Sequence, residues 1–183
     1  MKIKSFKDYT NLMEAKKQGY DFACAMVYVK FPMLELIQQF IDPDDIYTEV
    51  GDNTYGLEIE PHITLLYGLH ADVNPDDVFN AIESFKYEWQ PIKLAKVSSF
   101  ANEKYDVLKF TVESSLLHNI NGVLTKFPHT TNFPDYNPHL TIGYLKSGTS
   151  NVYIDVFSDL VYLLEPEKIV YSHTSGEKFE HII

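Results

Sequence analysis

Two short segments of the chain carry the residue types that acid–base chemistry needs. Pro61-His62-Ile63-Thr64-Leu65-Leu66-Tyr67 and Pro138-His139-Leu140-Thr141-Ile142-Gly143-Tyr144 agree at four of seven positions, two more exchange isoleucine for leucine, and the copies lie 77 residues apart. Side chains alternate faces along a strand, so His62 and Thr64 share one face while Ile63, Leu65 and Tyr67 take the other. His139 and Thr141 behave likewise, with Leu140, Ile142 and Tyr144 behind them. The apolar face packs under helices. The polar face must line a cleft, since burying unpaired polar groups costs ~1–3 kcal/mol each. By the same alternation Gly143 falls on the cleft side and leaves room for a ligand.

Two imidazoles and two hydroxyls converging on one point suit a phosphodiester. A neutral histidine removes a proton from the attacking oxygen and a protonated one supplies the leaving oxygen, both roles being accessible near neutral pH. Each threonine hydroxyl can donate to a non-bridging oxygen, where charge develops in the transition state. This chemistry requires no metal and no cofactor, and no third or fourth ligand stands at a zinc-like spacing. His129-Thr130-Thr131 and His173-Thr174-Ser175 resemble the pattern but lack its apolar frame; His129 lies in a proline-flanked loop and His173 at a hairpin edge. Cys24 is the single cysteine, set in an apolar run, and reads as a small buried hydrophobe. One cysteine forms no internal disulfide, so a reducing, cytoplasmic compartment is expected.

The elements around the two motifs repeat in order. Asp21–Phe31 is a strand stopped by Pro32, and Met33–Ile41 a short helix. Residues 48–60, with Gly51, Asp52, Asn53 and Gly56, form a loop or hairpin before the first motif strand. Asn74 caps a helix with Pro75 at its first position and Val78, Phe79, Ile82 and Phe85 on its apolar face. Ile92–Val97 and Tyr105–Val112 alternate as strands, and Ser114 caps a helix carrying Leu116, Leu117, Ile120, Val123, Leu124 and Phe127. Residues 128–137 are a loop before the second motif strand, Val152–Leu160 is helical, and Lys168–His173 with Phe179–Ile183 makes a C-terminal hairpin. The fold expected is α+β, with two βαβα halves related by a pseudo-twofold axis around a central cleft.

The 183 residues suit one domain, here of two lobes over 20–183, and the 45% hydrophobic content excludes general disorder. No apolar run reaches the ~20 residues of a membrane span. Fifteen lysines, no arginine and twenty-six acidic residues leave a net charge of −11. That balance argues against wrapping a long nucleic-acid duplex, yet leaves room for a small anion held by a few placed donors, bound by a monomer.

At the two motifs the chain resembles the 2H phosphoesterase, or LigT-like, superfamily, whose signature is a pair of apolar-His-apolar-Thr/Ser strands. The resemblance runs over roughly 22–183 and implies a bilobal α+β fold and metal-independent cleavage of phosphodiesters at a ribose. His62 and His139 would be the acid–base pair, in an order the motifs do not fix, and Thr64 and Thr141 the phosphate-binding hydroxyls. Members of the family act on RNA ends with 2′,3′-cyclic phosphate, on 2′-5′ linkages and on cyclic oligonucleotide signals. Tyr136 and Phe133 before the second motif, and Tyr47 and Tyr55 before the first, are candidates for stacking on bases. The absence of arginine removes bidentate phosphate recognition. A cyclic oligonucleotide is the substrate expected first, a short RNA end second, and a sponge that holds a nucleotide without cleaving it third.

Residues 1–18 carry Lys2, Lys4 and Lys7, with Phe6, Tyr9, Leu12 and Met13 at helical spacing. This segment reads as an amphipathic helix, and it also resembles the capsid-targeting leader of internal head proteins in large tailed phages, cut after Leu/Ile-x-Glu. Such a leader would end at Glu14 and place the chain in the host cytoplasm or the virion. Mass spectrometry of purified virions should then show a chain beginning at Ala15; a full-length chain confined to infected cytoplasm would contradict it.

Overall fold

The computed structural model describes residues 21–183 apart from 53 and 134. The helix or leader expected over residues 1–18 lies outside the described residues. The first half runs β1 (Ala23–Lys30), α1 (Leu34–Gln38), β2 (His62–Leu69) and α2 (Pro75–Glu83). The second runs β3 (Ile92–Ala101), β4 (Tyr105–Glu113), α3 (Ser115–Leu124), β5 (His139–Lys146), α4 (Ser150–Val156), β6 (Tyr162–Ser172) and β7 (Lys178–Ile182). Each motif therefore opens the second strand of a βαβα unit, β1-α1-β2-α2 and β4-α3-β5-α4.

The strands lie in the order β1-β2-β5-β4-β3-β6-β7 with every pairing antiparallel. β6 also pairs with β1, so the six strands other than β7 close into a ring. Its first residues, Tyr162–Leu164, join β3, and residues from Glu165 onward join β1. β6 begins earlier than the sequence suggested because Pro166, which breaks a regular ladder, sits at an irregularity: Tyr28 faces Lys168 and Val29 faces Pro166, leaving Glu167 as the extra residue. α4 spans Ser150–Val156 rather than residues 152–160, and α1 is shorter than the expected 33–41, its last residues closing as turns. β3 runs four residues past Val97 because β4 supplies partners as far as Ala101.

The caps form as the sequence dictates. Asn74 Oδ1 accepts from Asp76 N ahead of α2, and Ser114 Oγ accepts from Leu117 N ahead of α3, each worth about 1 kcal/mol. The helices are exchanged between halves: α1 packs on β5, and α3 packs on β2 and α2. Val27, Ile63, Leu65, Phe110, Leu117, Ile120, Leu140 and Ile142 are fully buried between the strands and these helices.

Both motif strands carry a bulge at the same place. Thr64 faces Met26 and Leu66 faces Ala25, so Leu65 is extra; Thr141 faces Lys109 and Gly143 faces Leu108, so Ile142 is extra. The carbonyls of the two extra residues are each met by an amide side chain from the exchanged helix: Asn121 Nδ2 donates to Leu65 O at 2.7 Å and Gln38 Nε2 to Ile142 O at 2.8 Å, the latter carbonyl also accepting from Glu58 N. The bulges overturn simple alternation. Tyr67 faces Cys24 and Tyr144 faces Val107, which puts both tyrosines on the same face as Thr64 and Thr141 rather than behind them. Gly143 is moved the other way. A Cβ there would come within 2.9 Å of Leu57 Cδ2, so its space belongs to the chain's own loop and not to a ligand.

β2 and β5 touch at Ile63–Leu140 and then part. Each exposed edge is covered by the loop that precedes the opposite motif. Gly56 O and Glu58 N bond Tyr144 N and Ile142 O on β5, while Thr130 N and Pro128 O bond Gly68 O and His70 N at the end of β2. Gly68 is required at this junction: its φ is +100° and a Cβ would lie 2.0 Å from Thr130 O. Among the described residues no helix is long and apolar enough to cross a membrane. Gly68→Ala should lower stability by about 2 kcal/mol or more in urea unfolding, whereas Gly122→Ala, facing open space in α3, should be neutral or slightly stabilising. Equal stability of the two variants would contradict the strained junction.

Candidate active site

The Ile63–Leu140 pair fixes the geometry of the two motifs. In an antiparallel register about that pair, His62 stands beside Thr141 and Thr64 beside His139. All four belong to the half-buried face of their strands, alternating with the fully buried Ile63, Leu140 and Ile142. The prolines that open the motifs serve the ladder through their carbonyls alone: Val29 N donates to Pro61 O and Val112 N to Pro138 O, each at 3.1 Å.

Each histidine is held by the same device. His62 Nδ1 lies 2.7 Å from Glu60 O and His139 Nδ1 lies 2.9 Å from Asn137 O, in both cases the carbonyl two residues back. A carbonyl only accepts, so Nδ1 carries the hydrogen and Nε2 is left free to exchange a proton. The ring planes are fixed by aromatic neighbours. Tyr28 of β1 stacks on His62 with centroids 5.5 Å apart, and Phe100 of β3 sets its ring at 88° to His139 at 5.0 Å.

The surroundings of the two rings differ in charge. His62 Nδ1 lies 3.7 Å from Glu58 Oε2. Lys178 Nζ donates to Glu60 Oε2 at 2.7 Å and to Tyr28 Oη at 3.2 Å, which holds the Glu60 carboxyl below its usual range. His139 has Lys109 close by on β4. The Lys109 ammonium donates to Ser98 Oγ at 2.8 Å and sits 4.1 Å from the centre of the Phe100 ring. Burial pushes His139 below the ordinary imidazole value; the bond to Asn137 O works against this, and the Lys109 and His62 charges add to it. Burial likewise holds Lys109 below the usual lysine value.

Aromatic groups flank the motifs on both sides. Tyr47 and Tyr55 pack edge-to-face with centroids 5.1 Å apart, and both stand against Tyr105, Tyr55 also against Tyr144. This group lies along β5 beyond Thr141. On the other side a cavity of about 410 Å³ is lined by Phe100, Lys109, Thr111, Val112, His118, Tyr136, Asn137 and Pro138. Tyr136 is part-buried there; its hydroxyl donates to Thr64 O at 2.8 Å and its ring meets His118 edge-on, so it supports the first motif as well as lining the cavity. Phe133 is 71% exposed, and its ring pairs with no other aromatic ring among the described residues. His129 joins the loop edge through a bridge to Leu69, and His173 Nε2 reaches Ala71 O, so neither belongs to the site. Burial pushes the Cys24 thiol up to about 12, away from thiolate chemistry at neutral pH.

Tyr28, Glu58, Phe100, Lys109 and Thr111 are the neighbours that motif inspection passed over. The signal for two of them is the period of β4, in which Lys109 and Thr111 stand out on one face of an apolar run, Val107-Leu108-Lys109-Phe110-Thr111-Val112. Among the described residues no cluster of histidine, cysteine and carboxylates has the grouping of a metal site.

Comparison with known proteins places the chain in a family. The model of the 2'-5' RNA ligase superfamily matches residues 37–168, which include both motifs. The chain belongs to the 2′-5′ RNA ligase superfamily, the 2H phosphoesterases. Membership makes it an enzyme of the phosphodiesterase class. Among solved structures it is similar to Usb1 of Kluyveromyces marxianus, with a TM-score of 0.56 and 8% identity over 90% of this chain and 99% of that one. The same protein solved with uridine monophosphate gives 0.56 and 8%, covering 89% and 98%. At such identity the likeness is one of fold. No curated protein matches the chain.

The depressed basicity of His139 has a consequence for stability. Its folded ring binds a proton less readily than the unfolded one, so unfolding takes up a proton below about pH 6.5 and stability falls as the pH drops through that value. In urea unfolding at a series of pH values, His139→Gln should lose less stability than the wild type below that point. Parallel pH curves for the two proteins would contradict the lowered basicity of this half-buried ring.

Proposed function

We propose that this superfamily member cleaves phosphodiester bonds of cyclic oligonucleotides, with His62 and His139 as its acid–base pair and Thr64 and Thr141 as its phosphate-binding hydroxyls. The observation that carries the proposal is the register about Ile63–Leu140, which sets each histidine beside the threonine of the other motif while both Nδ1 atoms are tied back to backbone carbonyls. A phosphorus atom between the rings would have a proton acceptor at one side and a donor at the other. The attacking water loses its proton to one Nε2 as its oxygen bonds phosphorus; the bond to the leaving ribose oxygen breaks as the other Nε2 protonates it. The threonine hydroxyls donate to the non-bridging oxygens. The protein thus supplies an acid, a base and oxyanion donors from its own side chains, in keeping with a metal-independent reaction.

Three features favour a compact cyclic substrate. The net charge of −11 opposes a long polyanion. The tyrosine group along β5 and the cavity of about 410 Å³ beside Phe100 and Tyr136 provide aromatic surfaces on both sides of the scissile position, as a nucleotide on each side requires. The leader-like residues 1–14 point to the messengers of bacterial anti-phage immunity as the biological source. A short RNA end with 2′,3′-cyclic phosphate is the second reading, favoured by the superfamily and by the likeness to a protein solved with uridine monophosphate.

Cyclic di- and trinucleotides and oligoribonucleotides ending in 2′,3′-cyclic phosphate, assayed side by side with product mass spectrometry, separate these readings. His62→Ala and His139→Ala should each reduce turnover ~10²–10⁴-fold, non-additively, with a bell-shaped pH profile and no response to EDTA. Full activity in either variant would remove the acid–base assignment, and intact ligand after long incubation would leave a binding protein.

A further inference from the structure

Lys109 is 7% exposed, yet among the described residues no carboxylate lies within ion-pairing distance of its ammonium. A buried charge without a counter-ion is costly, and proteins keep one where a ligand supplies the opposite charge. One of its hydrogens goes to Ser98 Oγ at 2.8 Å, and the Phe100 ring lies beneath it at 4.1 Å. The remaining donors belong to a side chain that stands on β4 directly opposite Thr141 and lines the cavity next to His139. The equivalent position of the first half, opposite Thr64, is Met26. The two halves thus match in backbone and differ in charge.

We propose that Lys109 binds a non-bridging oxygen of the substrate phosphate beside Thr141, and that the unlike charges flanking the two histidines, Lys109 at His139 and Glu58 at His62, set the direction of proton transfer, with His139 the base and His62 the acid. The inference rests on the phosphodiesterase reading above and gives it a polarity. An imidazolium formed at His62 has the Glu58 carboxylate 3.7 Å from Nδ1. One formed at His139 faces a fixed ammonium in a buried setting. The other groups around the rings do not reverse this. Among the described residues next to His62, the charge of Lys178 is taken up by Glu60 and that of Lys168 by Glu180, and Tyr28 stacks on the ring. Among the described residues, Phe100, Thr111 and the Asn137 carbonyl stand around His139, with Ser98 holding Lys109, and none of them is anionic. In the forward reaction His139 Nε2 takes the proton of the attacking water as the new P–O bond forms. His62 Nε2 releases its proton to the leaving ribose oxygen as the old P–O bond breaks. The Lys109 ammonium balances charge gathering on the non-bridging oxygens and exchanges no proton.

Two measurements on the full chain test this. Inorganic phosphate, titrated while the site histidines are followed by NMR, should bind Lys109→Met about tenfold or more weakly than wild type, the worth of one charge-assisted hydrogen bond. Lys109→Gln, which keeps a polar group of similar reach towards Ser98, should lose the same amount. Turnover is then compared on two diesters of one nucleoside, one leaving a ribose oxygen and one leaving 4-nitrophenolate, which needs no proton to depart. His62→Ala should be crippled on the first and recover to within about tenfold of wild type on the second, whereas His139→Ala should be crippled on both. Unchanged phosphate binding in the lysine variants, or recovery of His139→Ala in place of His62→Ala, would overturn the proposal. If wild type cleaves neither diester, the phosphodiesterase reading itself fails, while the phosphate titration still decides the role of Lys109.

Discussion

A single point of contact between β2 and β5 governs this molecule. Two strands from different halves meet at Ile63 and Leu140 and then separate, so two copies of one short motif are held side by side in opposite directions. The candidate site follows from that register. A slip of one residue would turn each histidine into the core and bring isoleucine and leucine to the cleft. The fully buried Ile63 and Leu140 therefore lock the site as much as they fill the interior.

The parting of the strands creates the need for the rest of the architecture. Beyond the contact, both edges would expose unpaired backbone, and each is covered by the loop leading into the opposite motif. Each bulge leaves a carbonyl that an amide on the exchanged helix satisfies, Asn121 for Leu65 and Gln38 for Ile142. The two halves thereby hold one another's irregularities. Gln38 also donates to Glu58 O, so the helix that repairs the second bulge positions the carboxylate beside His62.

Much of this was legible in the residues. The repeated heptapeptide gave both motif strands and their partnership, because a duplicated polar face on an apolar strand has few uses. Asn74-Pro75 and Ser114 marked the helix starts, since capping is local chemistry. The bulges were not legible: an extra residue is defined by the partner strand, which no local pattern names. Strict alternation therefore sent Tyr67 and Tyr144 behind the sheet and Gly143 into the cleft, and the structure reverses all three. The aromatic residues before the motifs are alike in type but not in surroundings: Tyr47 and Tyr55 join a packed group, Tyr136 braces Thr64, and Phe133 stands apart. Lys109 was passed over because an isolated lysine in a strand looks like an edge residue until its burial is known.

Whether both imidazoles address one phosphorus atom can be seen in a crystal structure of the protein with orthovanadate bound in place of the reacting phosphate. The vanadium centre should lie between the rings, with Nε2 of His62 and of His139 on opposite sides and within about 3 Å of its oxygens, and with the Thr64 and Thr141 hydroxyls on the remaining oxygens. An oxyanion seated elsewhere, or held by one histidine while the other turns away from it, would contradict it.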